Sequence, residues 1–284
     1  MNRIVRLGLL YTTVRQEEKL LLDAARRRAL PLAPIRDGDL VLGLESNGTT
    51  LDAVLNRSMS HSRSLYAARF LEHQGVRVVN AADVNAVCMD KALTSVALAR
   101  AGVPTPKTFV AFTPDAALEA IEEVGYPAVL KPVVGSWGRL VSRVSDREQA
   151  EQLLEHKATL GHYMHHIFYV QEYIDKPSYD IRSHVVGERV TSAVRRVSTS
   201  WVTNAARGGT SEPQDVTPAI EDLSLRAAEA VGGGVLGIDL MPDREGRLFV
   251  HEVNHVMEFR SAMQATDVDL PGAILDHLAE VARR

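Results

Sequence analysis

The way hydrophobic periodicity changes along these 284 residues constrains the fold more than any other feature. Up to residue 85, strand-like and helix-like stretches alternate. Ile4 to Leu10 is an apolar run, and Arg15 to Ala29 sets Leu20, Leu21, Leu22, Ala24 and Ala25 among charges. Asp52 to Asn56 reads as a strand, Leu65 to His73 as a helix, and Val76 to Val79 as a strand. Strands separated by helices build βαβ units and a parallel sheet. From residue 180 the pattern changes to hairpins. Asp180 to Val186 and Arg189 to Val197 flank the turn Gly187-Glu188, and Val235 to Asn254 turns at Asp243 to Gly246.

Between these regions, Asp90 to Ala101 reads as a helix stopped by Gly102, with Pro104 and Pro106 beyond it. A strand at Phe109 to Phe112, a helix at Pro114 to Val124 and a strand at Ala128 to Pro132 follow. A helix from Ser145 to Lys157 has Ser145 as its expected N-cap, and Ile167 to Ile174 reads as a strand. A polar stretch covers Ser198 to Gln214, a helix Pro218 to Val231, and a last helix starts near Pro271. The expectation is an α/β (α+β) chain in three parts. Residues 1–85 form a parallel-sheet domain, 86–168 a central lobe, and 169–284 a C-terminal lobe.

The composition, 45% hydrophobic and 24% charged with a formal net charge of −4, is that of a globular chain long enough to bury its own core. The single cysteine, Cys88, excludes a disulfide framework or a cysteine zinc site and fits a reducing cytoplasm. No apolar run approaches a membrane span, and the apolar part of the N-terminus is too short for a signal peptide. The mild negative charge gives no reason to expect nucleic acid. Of 32 basic residues only six are lysines: Lys19, Lys91, Lys107, Lys131, Lys157 and Lys176. A compositional preference for arginine is the plain reading.

Several groups carry chemistry. Asp239 lies on the outgoing strand of the last hairpin and Glu252 and Asn254 on the return, two residues apart and so on one side. Three oxygen ligands on one face suit Mg²⁺; the alternative is a solvated outer face. Lys131 ends an apolar strand just before the loop Gly135-Ser136-Trp137-Gly138-Arg139-Leu140-Val141. Its ammonium and the loop's backbone N–H groups suit phosphate, although the segment reads equally as a surface turn. Gln171-Glu172-Tyr173-Ile174 leads into an extended segment whose main chain can read an adenine edge, or is an edge strand. Arg195 and Arg196 adjoin on a strand, so at most one faces a site; arginine clamps carboxylate or phosphate. Gly232 to Gly237 satisfies G-x-G-x-x-G but follows a helix and opens a strand, opposite to a dinucleotide fingerprint. His162, His165 and His166 read as solvated, and no H-E-x-x-H or G-x-S-x-G occurs.

In this order, Asp90-Lys91, Leu130-Lys131-Pro132, the glycine loop, Gln171 to Ile174, Asp180-Ile181-Arg182, Arg195-Arg196, Asn204, Gly208-Gly209, Asp239 and Glu252-Val253-Asn254 resemble the ATP-grasp carboxylate–amine ligases. Leu9 to Thr12, Glu17 to Leu21, Asn56-Arg57 with Ser62-Arg63-Ser64, Trp201 to Gly209, and Glu252 to Phe259 resemble a narrower branch. That branch is the ligases of amino-group-carrier lysine biosynthesis, and the likeness spans nearly the whole chain. The pattern departs from that branch at Ser261, where an asparagine is usual, and at Asp267 of Thr266-Asp267-Val268-Asp269. The amine is therefore read as 2-aminoadipate or glutamate.

The resemblance implies an ATP-grasp fold, a parallel-sheet pre-ATP-grasp domain followed by two lobes gripping ATP. It implies activation of the C-terminal glutamate of a small acidic carrier protein as an acyl phosphate, then capture by the amino acid. Asp239, Glu252 and Asn254 would hold Mg²⁺ (two ions, with Mn²⁺ as a substitute), and Lys91, Lys131 and the loop 135–141 would contact phosphates. Gln171 to Ile174 would hold adenine, with Asp180 at the ribose and Arg182 also at the nucleotide. Arg195 or Arg196, with Asn204, would hold the acyl phosphate. Arg195, Ala205, Ala206 and Glu258 to Ala262 (Phe259, Arg260 and Ser261 among them) would contact substrate. A cytoplasmic homo-oligomer, dimer or tetramer, is expected. Competing readings are the same chemistry in specialised metabolism, a ribosomal-protein or peptide glutamate ligase, a glutathione-synthetase-like enzyme, or a nucleotide-binding scaffold without turnover. Lys19, Lys107, Lys157 and Lys176 keep the plain compositional reading.

Overall fold

The structure, a computed structural model, describes residues 5–45, 50–135, 139–160, 163–201, 203 and 210–284. The N-terminal strands β1 (Leu7–Tyr11), β2 (Leu32–Arg36), β3 (Ala53–Arg57) and β4 (Arg77–Val79) form a parallel sheet in the order β2-β1-β3-β4. Its helices are α1 (Gln16–Arg27) and α2 (His61–His73), and α3 (Ala82–Cys88) follows. Leu7 and Leu9 pack with Leu21 and Ala25, whereas Leu10 packs with Val54, Ala68 and Leu71. A strand covered on both faces reads as a continuous apolar run, as this one does.

Helix α4 (Lys91–Arg100) is capped by Asp90, whose carboxylate accepts from Ala92 N at 2.8 Å and Leu93 N at 3.1 Å. A second sheet, antiparallel and ordered β5-β8-β6-β7, comprises β5 (Thr108–Ala111), β6 (Ala128–Lys131), β7 (Ser142–Val144) and β8 (Phe168–Glu172). Helices α5 (Pro114–Val124) and α6 (Arg147–Leu160) cover one face. The α6 cap is Asp146 rather than Ser145, because Asp146 accepts from Gln149 N at 2.8 Å. Period-2 alternation divides this sheet. Ala128, Leu130, Phe168 and Val170 enter the core under α5 and α6, whereas Val129, Lys131 and Gln171 face the cleft.

The third sheet is antiparallel, β11-β10-β9-β12-β13. It contains β9 (Tyr179–Val186), β10 (Arg189–Val197), β11 (Thr210–Gln214), β12 (Val235–Pro242) and β13 (Leu248–Asn254), with α7 (Pro218–Ala230) on its core side. α4 also packs there, against α7 and β13. Gly232, Gly233 and Gly234 take positive φ directly after α7, which agrees with the reading of this run as a helix end and linker. After α8 (Arg260–Ala265), α9 (Leu270–Arg283) returns to the first sheet, where Ile274, Leu275 and Leu278 join Leu7 and Leu9. The last fourteen helical residues thus complete the N-terminal core.

Register breaks once in the last hairpin. Asp239 pairs with Glu252 but Leu240 pairs with Val250, so His251 is the extra residue of a β-bulge. The bulge places Val250 and Val253 in the core while His251 and Glu252 both line the cleft.

Candidate active site

Two cavities meet between the sheets. The first lies between the second and third sheets. Its apolar surfaces include Val129, Val141, Tyr173, Ile174 and Met241, and its charged lining includes Lys91, Lys131, Lys176 and Glu252. The second is bounded by the N-terminal domain and by Arg182, Arg196, Asp239, Asn254 and Glu258. Lys91, Gly135 and Glu252 line both. Lys91 Nζ donates to Gly135 O at 2.6 Å and stands 3.6 Å from Glu252 Oε1.

Lys131 is almost fully buried. Its Nζ donates to Gln171 Oε1 at 2.5 Å and lies 3.2 Å from His251 Nδ1. Burial lowers its pKa to about 7, partly offset by the charge of Glu252. Lys176, held by Thr203 Oγ1 at 2.9 Å, is lowered to about 8, again mainly by burial, with Asp180 opposing. A lysine with a depressed pKa in a cleft marks a functional site.

Asp239 is buried and faces Arg182, which donates Nη2 to it at 2.8 Å and also contacts it through Nε. Arg196 Nη2 is 3.1 Å away. Burial alone would raise the Asp239 pKa, but Arg182 and then Arg196 hold the carboxyl well below its usual range. Arg196 is itself fixed by Asp180, at 2.6 and 2.9 Å, and Thr203 donates to the same carboxylate.

Asp239, Glu252 and Asn254 line one cavity, as their spacing predicts. Among the described residues no three His, Cys, Asp or Glu side chains gather to hold a metal. Two carboxylates and one amide oxygen are nonetheless a hard-cation donor set. Asp239, Glu252 and Asn254 would hold a magnesium ion through these oxygens, of which those of Asp239 also contact Arg182 and Arg196.

The structure corrects several expected roles. Arg195 does not reach the cleft; strand alternation turns it to the opposite face, where it donates to Gln214 Oε1 at 3.0 Å and lies over the Tyr179 ring. Asp180 lines the cleft, but both its oxygens are committed to Arg196 and Thr203 rather than open to a ribose. β8 is an inner strand, not an edge, so Gln171 and Glu172 are paired and only Tyr173 and Ile174 extend beyond the ladder. Phe259 and Ala262 are core residues, excluded from substrate contact by burial. Glu258 lines the second cavity, but Arg260 and Ser261 do not. Arg139 and Val141 line the first cavity, while Leu140 points to solvent. Ser136, Trp137, Gly138, His162, Asn204, Ala205, Ala206, Gly208 and Gly209 lie outside the described residues.

Lys176, His251, Met241, Trp201 and Thr203 line the first cavity without having been singled out for it. The lysine scarcity already noted was the available signal for Lys176. The second cavity also takes Arg15, Glu17, Ser58, Met59 and His61 from the C-terminal ends of β1 and β3. Strand order reverses between these two strands, the place where open α/β sheets bind ligands. Asn56 and Arg57 explain their motif structurally. Asn56 donates to Ser64 O at 3.1 Å, and Arg57 joins Glu18 at 2.7 Å, Met257 O at 2.9 Å and the Phe259 ring. Arg57 therefore ties the segment after β13 to the first sheet.

Comparison with known proteins places this arrangement. Residues 88–278 match the model of the RimK-like ATP-grasp domain, and residues 7–87 match the LysX preATP-grasp domain. The chain belongs to the RimK-like ATP-grasp family. Among similar proteins, the alpha-aminoadipate–LysW ligase LysX of Sulfurisphaera tokodaii is 33% identical, over 96% of this chain and 98% of its own. The glutamate–LysW ligase ArgX of Sulfolobus acidocaldarius is 34% identical over the same shares. A crystal structure of a RimK-domain ATP-grasp protein from Sphaerobacter thermophilus superposes with a TM-score of 0.80 at 27% identity, covering 96% of this chain and 99% of that one. The ATP-grasp fold, a parallel N-terminal sheet with two antiparallel lobes, is the one expected.

Proposed function

We propose that this chain is an ATP-dependent ligase. It activates the C-terminal glutamate carboxylate of a small acidic carrier protein as an acyl phosphate and joins it to the amino group of 2-aminoadipate. The observation that carries the reading is the meeting, at Lys91, Gly135 and Glu252, of a cleft that holds Lys131 and Lys176 beside apolar side chains with a second cavity that holds Arg196 and Asp239. Such a junction lets a carboxylate approach the end of a phosphate chain. Phosphoryl transfer needs positioning and charge neutralisation more than covalent help. Lys91, Lys131 and Lys176 neutralise phosphates in the first cavity, with Tyr173 and Ile174 at the base. Asp239, Glu252 and Asn254 hold Mg²⁺, which supplies further neutralisation of the phosphates. Arg196, oriented by Asp180, faces the acyl group from the second cavity, and the N-terminal domain walls that cavity on one side.

Relatives named for 2-aminoadipate and for glutamate are about equally similar to this chain, so glutamate is the second reading. Working in the cytoplasm, as an oligomer, agrees with such a biosynthetic role. The test is the intact mass of the carrier after incubation with enzyme, ATP, Mg²⁺ and one amino acid. The expected adduct is the mass of 2-aminoadipate less water. A glutamate adduct would select the second reading, and an unchanged carrier with both would overturn the proposal.

A further inference from the structure

Gln171 lies where adenine contacts were expected, but its side-chain amide is committed to other side chains. It is buried. Its Oε1 faces Lys131 Nζ at 2.5 Å, and its Nε2 donates to Thr108 Oγ1 at 3.1 Å and Tyr169 OH at 3.0 Å. Ser95 Oγ on α4 lies 2.8 Å from the same tyrosine oxygen. The amide orientation is chemically determined, because the reverse would set an NH₂ group against an ammonium. The other partner, His251, is the residue the bulge in β13 adds. Its Nδ1 is 3.2 Å from Lys131 Nζ and must be the acceptor, so its proton sits on Nε2 and the ring is neutral.

An ammonium has three N–H bonds. We infer that Gln171 and His251 are positioning residues that take two of them and leave the third aimed into the cleft, at the phosphate chain of the nucleotide. Gln171 lies on β8 of the second sheet and His251 on β13 of the third, so the pair also registers the two sides of the cleft on one nitrogen. The role rests on the proposal that this cleft takes ATP. A free lysine chain would pay rotamer entropy on binding phosphate; a lysine held by two acceptors has already lost it.

The test is a double-mutant cycle read by calorimetric titration of Mg²⁺ with a non-hydrolysable ATP analogue. Gln171→Met conserves volume and removes the acceptor. It is expected to weaken binding about tenfold, the scale of one hydrogen bond to a charged group. In a Lys131→Met background the same change is expected to alter affinity by less than about twofold. Gln171→Glu, which restores an acceptor but loses the donors to Tyr169 and Thr108, is expected to bind better than Gln171→Met; a packing role predicts the reverse. Should Gln171→Met not fold, His251→Leu against His251→Asn asks the same question, since asparagine keeps an acceptor near the Nδ1 position. Equal losses in both backgrounds, or no loss from Gln171→Met, would overturn the inference while leaving nucleotide binding intact. A wild-type protein that binds no nucleotide would instead refute the ATP reading itself.

Discussion

Replacing Glu252 with glutamine separates a metal site from a structural charge cluster. Glu252 is opposite Asp239, with Lys91 as its ion-pair partner at 3.6 Å, and its side chain is 26% exposed. A partly solvated pair of this kind contributes about 0–1 kcal/mol, so the variant should melt within about 3 °C of wild type. If Glu252 is a magnesium ligand, losing its charge removes roughly 4 kcal/mol of transition-state stabilisation, or about a thousandfold in turnover. The companion Asp239→Asn differs. Asp239 is 2% exposed and shared by Arg182 and Arg196. Removing its charge leaves the guanidinium of Arg182 without its carboxylate partner, while Arg196 keeps Asp180, a loss of about 3–5 kcal/mol. The expected pattern is loss of ADP release in both variants and loss of thermal stability only in Asp239→Asn. The assay is ADP release at saturating ATP, Mg²⁺, carrier and amino acid, beside a thermal melt. Turnover of Glu252→Gln within tenfold of wild type would take Glu252 out of the metal site.

Lys176→Met should raise KM for ATP about tenfold, as loss of one charge-assisted contact does, and leave KM for the amino acid unchanged. Because burial holds Lys131 at about 7 and Lys176 at about 8, both lose their ammonium charge as pH rises. A pH series of kcat/KM for ATP, which reports the free enzyme, should therefore fall above about pH 7 with an alkaline limb, and a flat profile to pH 9 would contradict it. Glu18 is fully buried against Arg57 and Arg15. Burial pushes its pKa up, but Arg57 and Arg15 hold it below the ordinary 4.5. Its contribution is thus complete above that value and lost as pH falls through the folded-state value. Glu18→Gln should cost about 3–5 kcal/mol at neutral pH, with the deficit narrowing in thermal melts below about pH 4. With an acidic carrier as substrate, kcat/KM for carrier should fall steeply between low and high salt; salt-independent rates would favour a small acceptor.

Three of the six edge strands, β2, β7 and β11, were not legible in the sequence. An edge strand buries less and needs fewer ladder donors, so it carries little apolar alternation and tolerates proline, as Pro34 in β2 and Pro213 in β11 show. Inner strands and long amphipathic helices were legible because burial imposes their periods, and α5 was read residue for residue. Residues lining the two cavities were legible where they sit on strands: Lys131, Arg196, Asp239, Glu252 and Asn254. Arg182, expected at the nucleotide, instead lines the second cavity against Asp239. The site was misread where geometry departs from regularity. Strict alternation cannot place His251 and Glu252 on one side, which requires a bulge. Phe259 ends a matched motif and Ala262 follows it, but both pack in the first core, Phe259 against Arg57. Arg195 was retained beside Arg196 although alternation permits only one of them to face the cleft.

The six lysines acquire a stereochemical reason from this geometry. Lys91, Lys131 and Lys176 line one cavity, in a chain whose other basic residues, apart from three, are arginine. Arg57 shows what a buried guanidinium demands. Glu18, Met257 O and the Phe259 ring surround it, and still its Nη2 is left without a partner. A fork of five donors at Lys131 would meet only Gln171 and His251 as acceptors and would leave still more N–H bonds unsatisfied. An ammonium with three donors has two satisfied there and one remaining for a ligand. An ammonium can also sit near neutral pKa when buried, whereas a guanidinium keeps its charge. At Lys131 an arriving phosphate supplies the third acceptor together with a counter-charge. Compositional drift toward arginine stops where the number of hydrogen bonds, and not only the charge, is what the site requires.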